Sequence, residues 1–335
     1  MKPFIIAEAG VNHEGSMELA KRLIDEAQRG GADAIKFQTY KAEKIASKES
    51  PSYWDLNAEP TTSQFELFKK YDQFWKPEYE ALARTCESMG IEFMSTPFDT
   101  ESAAFLNDLM NTFKVSSSDL TNLPFIEYLC QFGKPMILSV GASELWEVQR
   151  AVSLIESMGN NLCLMHCVLN YPTLDENANL AAIKSLKRRF PEHRIGYSDH
   201  TLPKDMETIK VAALLGAEVI EKHFTHDKSL PGNDHYHSMD YVDLQKFRND
   251  WSRITELCGT GEISAKPSEE LARANARRSL VAAVNIPEGT SITAEHLTWK
   301  RPASGISPMH IKEVIGLTAL RNINEDEIMQ WKDLG

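Results

Sequence analysis

Residues 194–226 read RIGYSDHTLPKDMETIKVAALLGAEVIEKHFTH, with two short apolar strands on either side of a helical stretch. The same alternation of strand and helix runs from residue 4 to residue 227. It gives eight strand candidates, at 4–10, 33–40, 92–99, 112–118, 135–141, 162–168, 194–201 and 218–226. Eight alternations predict a (β/α)8 barrel. A doubly wound sheet has fewer strands and needs a glycine-rich phosphate loop after the first one, which EAGVNHEG at 8–15 does not provide.

The alternating pattern ends at residue 258. Residues 259–278, GTGEISAKPSEELARANARR, are polar and contain Gly and Pro, which predicts a linker that finishes in a helix. Two strand candidates follow, SLVAAVN at 279–285 and HLTWK at 296–300. We therefore predict a barrel over 1–258, a linker over 259–278 and a small, mostly β domain over 279–335.

Composition limits the classes of function. Among the 335 residues, 42% are hydrophobic and 25% are charged, which is typical of a globular protein. The net charge of −12 argues against a nucleic-acid partner. We expect neither a signal peptide nor a membrane span. The five cysteines are scattered and odd in number, so we expect a reduced, cytoplasmic protein without a disulfide framework.

The predicted strand ends are unusually polar. In a barrel these ends form the open face where reacting groups collect. They carry three lysines, several hydroxyls and histidines: Glu8, Lys36, Gln38, Ser95, Thr96, Lys114, Ser116, Ser117, Ser118, Asp119, Ser139, His166, Ser198, Asp199, His200, Lys222 and His223. Lysine and hydroxyl groups predict a site for phosphate or carboxylate. Alternatively, Lys36 and Lys114 form structural salt bridges with Glu8 and Asp119.

Residues 221–237 hold four of the ten histidines. Because side chains alternate along a strand, His223 and Thr225 share one face and Lys222 and His226 the other. His235 and His237 follow a loop and reach the site only if the chain folds back. His200 ends the preceding strand, so His200 and His223 predict a divalent-metal site with open positions. Two of the cysteines, Cys163 and Cys167, are expected to be small core residues.

Several ordered motifs resemble the sialic acid synthases, the bacterial N-acetylneuraminate synthase family. They are IIAEAGVNHEGS (5–16), KFQTY (36–40), STPFD (95–99), FKVSSSD (113–119), ILSVGAS (137–143), HCVLNYPT (166–173), GYSDHT (196–201), EKHFTHDKSLPGNDH (221–235) and WKRPASG (299–305). The resemblance covers nearly the whole chain. It implies a (β/α)8 barrel followed by a SAF, or antifreeze-like, domain. It also implies a domain-swapped homodimer, in which that domain reaches the partner's barrel.

The implied reaction condenses phosphoenolpyruvate with N-acetylmannosamine, an N-acetylated hexosamine, to give N-acetylneuraminate and phosphate. In the family, Mn²⁺ or Mg²⁺ is held at the positions of His200 and His223. The phosphoenolpyruvate positions match Lys36, Thr96, Lys114, Ser117, Ser139 and Ser198. The sugar positions match Gln38, Tyr171, Asp234 and Arg301, the last from the partner's small domain. Glu8 and Asp119 match catalytic positions, and either is a candidate base for water.

Two departures bear on the sugar. Leu169 stands where the family has Asn, with Asn170 displaced by one, and Asn275 stands at the position of a pocket aromatic residue. Leu169 favours a less polar acceptor, so the alternative is a legionaminic acid synthase using 2,4-diacetamido-2,4,6-trideoxymannose. The pseudaminic acid branch fits less well, because its first strand usually lacks the EAGVNH form.

Two other classes remain as alternatives. A Schiff-base aldolase would use Lys36 or Lys222 as nucleophile and no metal. An ice-binding module would need a flat, weakly charged face in the C-terminal segment, where this chain has KRP at 300–302 and NEDE at 324–327.

Overall fold

The computed structural model describes residues 2–54, 56, 57, 59–232 and 234–335. It divides into two compact units, the first ending at Cys258 and the second covering Gly259–Gly335.

Eight parallel strands form the centre of the first unit, in the order β3-β2-β1-β8-β7-β6-β5-β4. Their bounds are β1 Phe4–Gly10, β2 Ala34–Thr39, β3 Glu92–Pro97, β4 Phe113–Val115, β5 Met136–Ser139, β6 Leu162–Cys167, β7 Arg194–Asp199 and β8 Val219–His223. β1 pairs with both β2 and β8, so the first and last strands meet and the sheet is a nearly closed barrel. The predicted (β/α)8 fold is confirmed. β4 is shorter than predicted, because a 3₁₀ turn begins at Ser117.

Helices separate the strands. Their bounds are α1 Met17–Gly30, α2 Ala42–Ile45, α3 Gln64–Tyr71, α4 Lys76–Met89, α5 Thr100–Leu106, α6 Leu123–Cys130, α7 Leu145–Ser157, α8 Ala181–Arg189, α9 Glu207–Leu214 and α10 Tyr241–Cys258. Local signals in the sequence set their ends. The Ser16 hydroxyl accepts a hydrogen bond from the Leu19 N–H at the start of α1, and α4 has a proline in its first turn and Gly90 at its end, with φ of 68°.

Alternation along the strands divides the core in two. Residues on the outer face, such as Ile5, Ala7 and Ile35, pack under the helices. The inner face begins with a buried apolar cluster of Ile6, Ala34, Met94, Ile137, Cys163, Met165 and Val219. Gly196 allows close approach there, since a Cβ would lie 2.6 Å from the Val219 carbonyl oxygen. Further along the strands the inward residues become polar, so this cluster forms the floor of the site described below.

The second unit has a small antiparallel sheet and a core of its own. Its elements are α11 Glu270–Ala276, β9 Ser279–Ala282, β10 Leu297–Lys300 and α12 Ile311–Val314. Its buried residues include Leu280, Ile292 and Met329. Arg301 directly follows β10 and is exposed. No helix in the described ranges of either unit is long and apolar enough to cross a membrane.

Candidate active site

A cavity of about 400 Å³ opens at the carboxyl ends of the barrel strands. The barrel residues that the family resemblance assigns to catalysis, substrate binding and metal binding all line it: Glu8, Lys36, Gln38, Thr96, Lys114, Ser117, Asp119, Ser139, Tyr171, Ser198, His200, His223 and Asp234. Arg301, the remaining predicted site residue, belongs to the second unit. One cavity therefore brings together the residues that the sequence assigned to an anion, a metal and a sugar.

A buried group of two lysines and two glutamates occupies the base of the cavity. Lys36 Nζ lies 2.5 Å from Glu8 Oε2 and 3.7 Å from Glu221 Oε2, and Lys114 Nζ lies 3.2 Å from Glu221 Oε1. The structural salt bridge predicted between Lys36 and Glu8 is present. The one predicted between Lys114 and Asp119 is wrong, because Glu221 takes that place.

Sequence reasoning missed Glu221, although its signal was available. On β8, Glu221 is two residues before His223, so alternation puts both side chains inside the barrel. We call Glu8, Lys36, Lys114 and Glu221 the charged cluster.

The two glutamates of the charged cluster differ in protonation. Burial raises the pKa of Glu8 to about 7, although Lys36 opposes that change. Burial would also raise the pKa of Glu221, but the ammonium groups of Lys114 and Lys36 bring it to about 2. Near neutral pH one carboxyl therefore exchanges a proton while the other stays ionised, which is a pattern of acid–base sites.

Hydroxyl groups surround the charged cluster. Thr96 accepts a hydrogen bond from Lys36 Nζ at 3.0 Å, and Ser198 donates one to Glu221 Oε1 at 3.1 Å. Ser117 accepts one from the Gly141 N–H at 2.9 Å. The buried Ser139 hydroxyl has no hydrogen-bond partner among the residues that the structure describes. Because buried polar groups normally have a partner, this hydroxyl is available to a ligand.

Asp119 lies at another part of the cavity wall. Its carboxylate accepts hydrogen bonds from Ser116 and Asn122, both at 3.2 Å. Burial raises its pKa above the usual range. Glu8 and Asp119 both line the cavity, so both remain candidates for the base.

Three histidines and an aspartate lie together at the mouth of the barrel, and His200, His223 and Asp234 among them line the cavity. The ring centroids of His200 and His223 are 5.3 Å apart, and those of His223 and His237 are 4.9 Å apart. Asp234 lies between two of them, with Oδ2 3.5 Å from His223 Nδ1 and Oδ1 3.6 Å from His237 Nε2. His237, which the sequence left outside the site unless the chain folds back, is fully buried beside His223.

These residues fit a divalent metal ion. The candidate ligand atoms of His223, Asp234 and His237 all lie within 4.8 Å of one another. Within the described ranges, His223 Nδ1 and both ring nitrogens of His237 lack a hydrogen-bond partner. Burial holds the pKa of His223 well below its usual value, so its imidazole is neutral and able to bind a metal. His200 Nδ1 contacts the Val168 carbonyl oxygen at 2.8 Å, an arrangement that orients metal-binding imidazoles.

The remaining wall is largely apolar. The segment between β2 and α4 contributes Tyr53, Trp54 and Phe68, and the loop after β6 contributes Leu169. Cys163 and Cys167 are both buried in the core, as predicted. Cys167 also lines the cavity, with Sγ 3.8 Å from His200 Nδ1.

Four strand-end residues in the predicted set, Ser95, His166, Asp199 and Lys222, lie outside the barrel interior. The Ser95 hydroxyl lies 2.6 Å from the Thr39 hydroxyl. Lys222 donates hydrogen bonds to Asp199 at 2.8 Å and to the Thr201 carbonyl oxygen at 2.6 Å. His166 contacts the Ala178 carbonyl oxygen at 2.8 Å. Their place in the predicted set was wrong, because strand alternation turns them toward the helices.

The architecture and the cavity thus define a (β/α)8-barrel protein with a buried lysine–glutamate group and an imidazole-rich group at its strand ends. The chain belongs to the NeuB family, whose model matches residues 23–263. A second model, that of the SAF domain, matches residues 277–335. The family resemblance noted in the sequence is confirmed.

Named relatives extend over almost the whole chain. The N,N'-diacetyllegionaminic acid synthase of Campylobacter jejuni is 39% identical over 337 residues, covering 98% of this chain and 99% of the relative. The enzyme of the same name from Legionella pneumophila is 37% identical over 342 residues, covering 100% and 95%. The crystal structure of N-acetylneuraminic acid (sialic acid) synthetase from Leptospira borgpetersenii, a citrate complex, is 36% identical with a TM-score of 0.72, covering 81% of this chain and 90% of that one.

Proposed function

We propose that this protein is a nonulosonic acid synthase that condenses phosphoenolpyruvate with an N-acetylated amino sugar and releases phosphate. The observation that carries the proposal is the placement of the charged cluster and the imidazole group in one cavity of a NeuB-family barrel. The first suits a small anion and the second suits activation of a carbonyl.

The phosphoenolpyruvate half of the reaction belongs to the charged cluster. Lys36 and Lys114 bind its phosphate and carboxylate, and the Ser139 hydroxyl, which has no hydrogen-bond partner among the described residues, donates to one of them. Thr96, Ser117 and Ser198 complete the binding set. Because the Glu221 carboxylate contacts both lysines, an incoming anion competes with it.

The acceptor half belongs to the mouth of the barrel. Gln38, Tyr171 and Asp234 contact the sugar. A divalent ion, Mn²⁺ or Mg²⁺, held by His200 and His223, supplies Lewis acidity toward the aldehyde of the acceptor.

The chemistry balances with one water molecule. C3 of phosphoenolpyruvate forms a bond to the aldehyde carbon, the aldehyde oxygen takes the C=O electron pair and a proton to become a hydroxyl, and C2 is left electron-poor. Water adds to C2 and loses a proton to a carboxylate, either Glu8 or Asp119. The bond from C2 to the bridging oxygen then breaks, so phosphate leaves with that oxygen and a 2-keto acid remains. Glu8, with its pKa raised to about 7, suits the role of base near neutral pH.

Two acceptors are supported by specific observations. Leu169 in the cavity wall and the two legionaminic acid synthases at 37% and 39% identity favour 2,4-diacetamido-2,4,6-trideoxymannose. The sialic acid synthetase at 36% identity supports N-acetylmannosamine, with N-acetylneuraminate as product. We place the first acceptor ahead of the second, because Leu169 offers no polar group to an additional hydroxyl.

The assembly is also part of the proposal. Arg301 in the second unit binds the N-acetyl group of the sugar in the partner's barrel, which requires a domain-swapped homodimer. The reaction takes place in the cytoplasm, where phosphoenolpyruvate and reduced cysteines are found.

Phosphate release by the purified protein tests the proposal, with phosphoenolpyruvate, Mn²⁺ and each sugar in turn, with and without EDTA. Turnover that depends on a sugar and is lost with EDTA supports the synthase. Preference between the two sugars assigns the acceptor. Absence of turnover with both sugars contradicts the proposed substrates.

A further inference from the structure

We infer that His237 is a protein ligand of the divalent ion, completing a set with His223 and Asp234 that selects a transition-metal ion over Mg²⁺. The inference rests on the proposed function, because it concerns the ion of that same site. It gives a role to a histidine that the sequence placed on a loop, and it adds metal binding to the sugar contact predicted for Asp234.

The first support is the distance between donor atoms. His223, Asp234 and His237 present one imidazole nitrogen, one carboxylate oxygen and another imidazole nitrogen, all within 4.8 Å of one another. An ion at the centre of such a group needs only small side-chain movements to reach all three. The His200 ring lies 5.3 Å from the His223 ring, close enough for its free nitrogen to join them.

The second support is the buried environment of the His237 ring, whose Nε2 lies 3.6 Å from Asp234 Oδ1, a carboxylate oxygen of the same group. The side chain is fully buried, yet neither nitrogen has a hydrogen-bond partner in the part of the chain that the structure describes. A buried imidazole without hydrogen bonds destabilises the folded protein. Binding an ion removes that destabilisation.

The third support is that the backbone holds the loop in place. The Met239 N–H donates to the His223 carbonyl oxygen at 2.8 Å, and the Thr225 N–H donates to the Met239 carbonyl oxygen at 3.0 Å. The Tyr236 hydroxyl donates to the Tyr171 carbonyl oxygen at 3.0 Å. His237 therefore sits beside β8 through main-chain pairing, and the site is formed before an ion arrives.

The ligand chemistry points to a class of ion. Imidazole nitrogen is a good ligand for Mn²⁺, Fe²⁺, Co²⁺ and Zn²⁺, whereas Mg²⁺ prefers oxygen and keeps its water molecules. Each added imidazole strengthens binding of the first group relative to Mg²⁺. Two histidines and a carboxylate resemble the set that holds Fe²⁺ in non-haem iron proteins.

Metal binding by the full-length, metal-stripped protein tests the inference. Mn²⁺ affinity is measured by electron paramagnetic resonance titration, and the bound imidazole nitrogens are counted by electron spin echo modulation. Three histidine nitrogens are expected in the wild type, from His200, His223 and His237. His237→Gln is expected to lose one nitrogen and to bind Mn²⁺ about 10-fold to 100-fold more weakly, with Mg²⁺ affinity nearly unchanged.

His226→Gln is the matched control, because His226 lies in the same segment but outside the group of His223, Asp234 and His237. It should bind Mn²⁺ like the wild type. The same nitrogen count in His237→Gln as in the wild type, or unchanged Mn²⁺ affinity in the folded variant, overturns the inference and leaves His237 as a packing residue. A single bound nitrogen in the wild type overturns it without any variant, and His237→Asn repeats the test if His237→Gln does not fold.

Failure of the inference and failure of the proposed function give different results. Sugar-dependent phosphate release together with an unchanged nitrogen count in His237→Gln contradicts the role of His237 alone. Three bound nitrogens without turnover on either sugar contradicts the synthase and leaves the metal site in place.

Discussion

Replacing Glu221 by Gln should weaken the folded protein and strengthen its binding of anions. Glu221 is 5% exposed and contacts Lys36 and Lys114. Its pKa falls from 4.5 to about 2 in the folded protein. At about 1.4 kcal/mol for each pH unit, the charge contributes about 3 kcal/mol to the free energy of unfolding. That contribution is fully present above about pH 4.5 and is lost as the pH falls through about 2.

An independent estimate agrees, since removing one partner of a buried ion pair costs about 3–5 kcal/mol. The Gln amide oxygen can still accept from Ser198, so the lower end applies. For a barrel of this size we expect a fall in melting temperature of roughly 6–10 °C at pH 7. Phosphoenolpyruvate should then raise the melting temperature more in the variant than in the wild type, because no carboxylate competes for Lys114.

Differential scanning fluorimetry with and without phosphoenolpyruvate measures both effects. Glu218→Gln is the matched control, because Glu218 pairs with Lys187 and Arg194 at the surface and should change stability by less than about 1 kcal/mol. An unchanged melting temperature for Glu221→Gln, or a smaller shift with phosphoenolpyruvate than in the wild type, would refute the assignment of the charged cluster as the anion site.

Three further substitutions separate the alternatives. If Glu8 is the base, kcat/KM falls as the pH drops through about 7. Glu8→Gln should then lower activity about 10²-fold to 10⁴-fold and abolish this decrease of kcat/KM at low pH. If the decrease persists in the variant, the base is Asp119. Lys222→Met should destabilise the protein by about 3 kcal/mol or more, because it leaves the buried Asp199 carboxylate without its ion-pair partner, while the folded molecules keep their turnover. Borohydride added to the wild type with its substrates should trap no covalent adduct. A trapped adduct would support the Schiff-base aldolase. Leu169→Asn should raise kcat/KM for N-acetylmannosamine about 10-fold relative to kcat/KM for the 2,4-diacetamido sugar. An unchanged ratio would show that Leu169 does not determine the acceptor.

The sequence predicts the barrel well because periodicity carries the information. Each strand has a short apolar run. Along a strand, the apolar floor residues and the polar residues above them occupy alternate positions, so their side chains lie on the same, inward face. The same alternation would have excluded Lys222 and included Glu221, since β8 turns alternate residues inward. Both errors arose because every polar residue near a strand end was assigned to the site, whichever face of the strand it occupies.

Other features of the site depend on tertiary contacts. The position of His237 depends on main-chain pairing between Met239 and β8, across a loop whose course no local pattern predicts. The raised pKa of Glu8 depends on its burial beside Glu221. Glu8 lies on β1 and Glu221 on β8, so the two residues are far apart in the sequence and meet only in the folded barrel. Motif resemblance selected residues that line one cavity, but the ion pairs and hydrogen bonds among them required the structure.

The most direct test of the proposed condensation follows the atoms of phosphoenolpyruvate labelled with ¹³C at all three carbons and with ¹⁸O at the bridging oxygen. We predict one labelled 2-keto acid for each phosphate released, three labelled carbons longer than the sugar, with the ¹⁸O in the phosphate. Phosphate that forms without the sugar, or labelled carbon recovered only as pyruvate, would contradict the account.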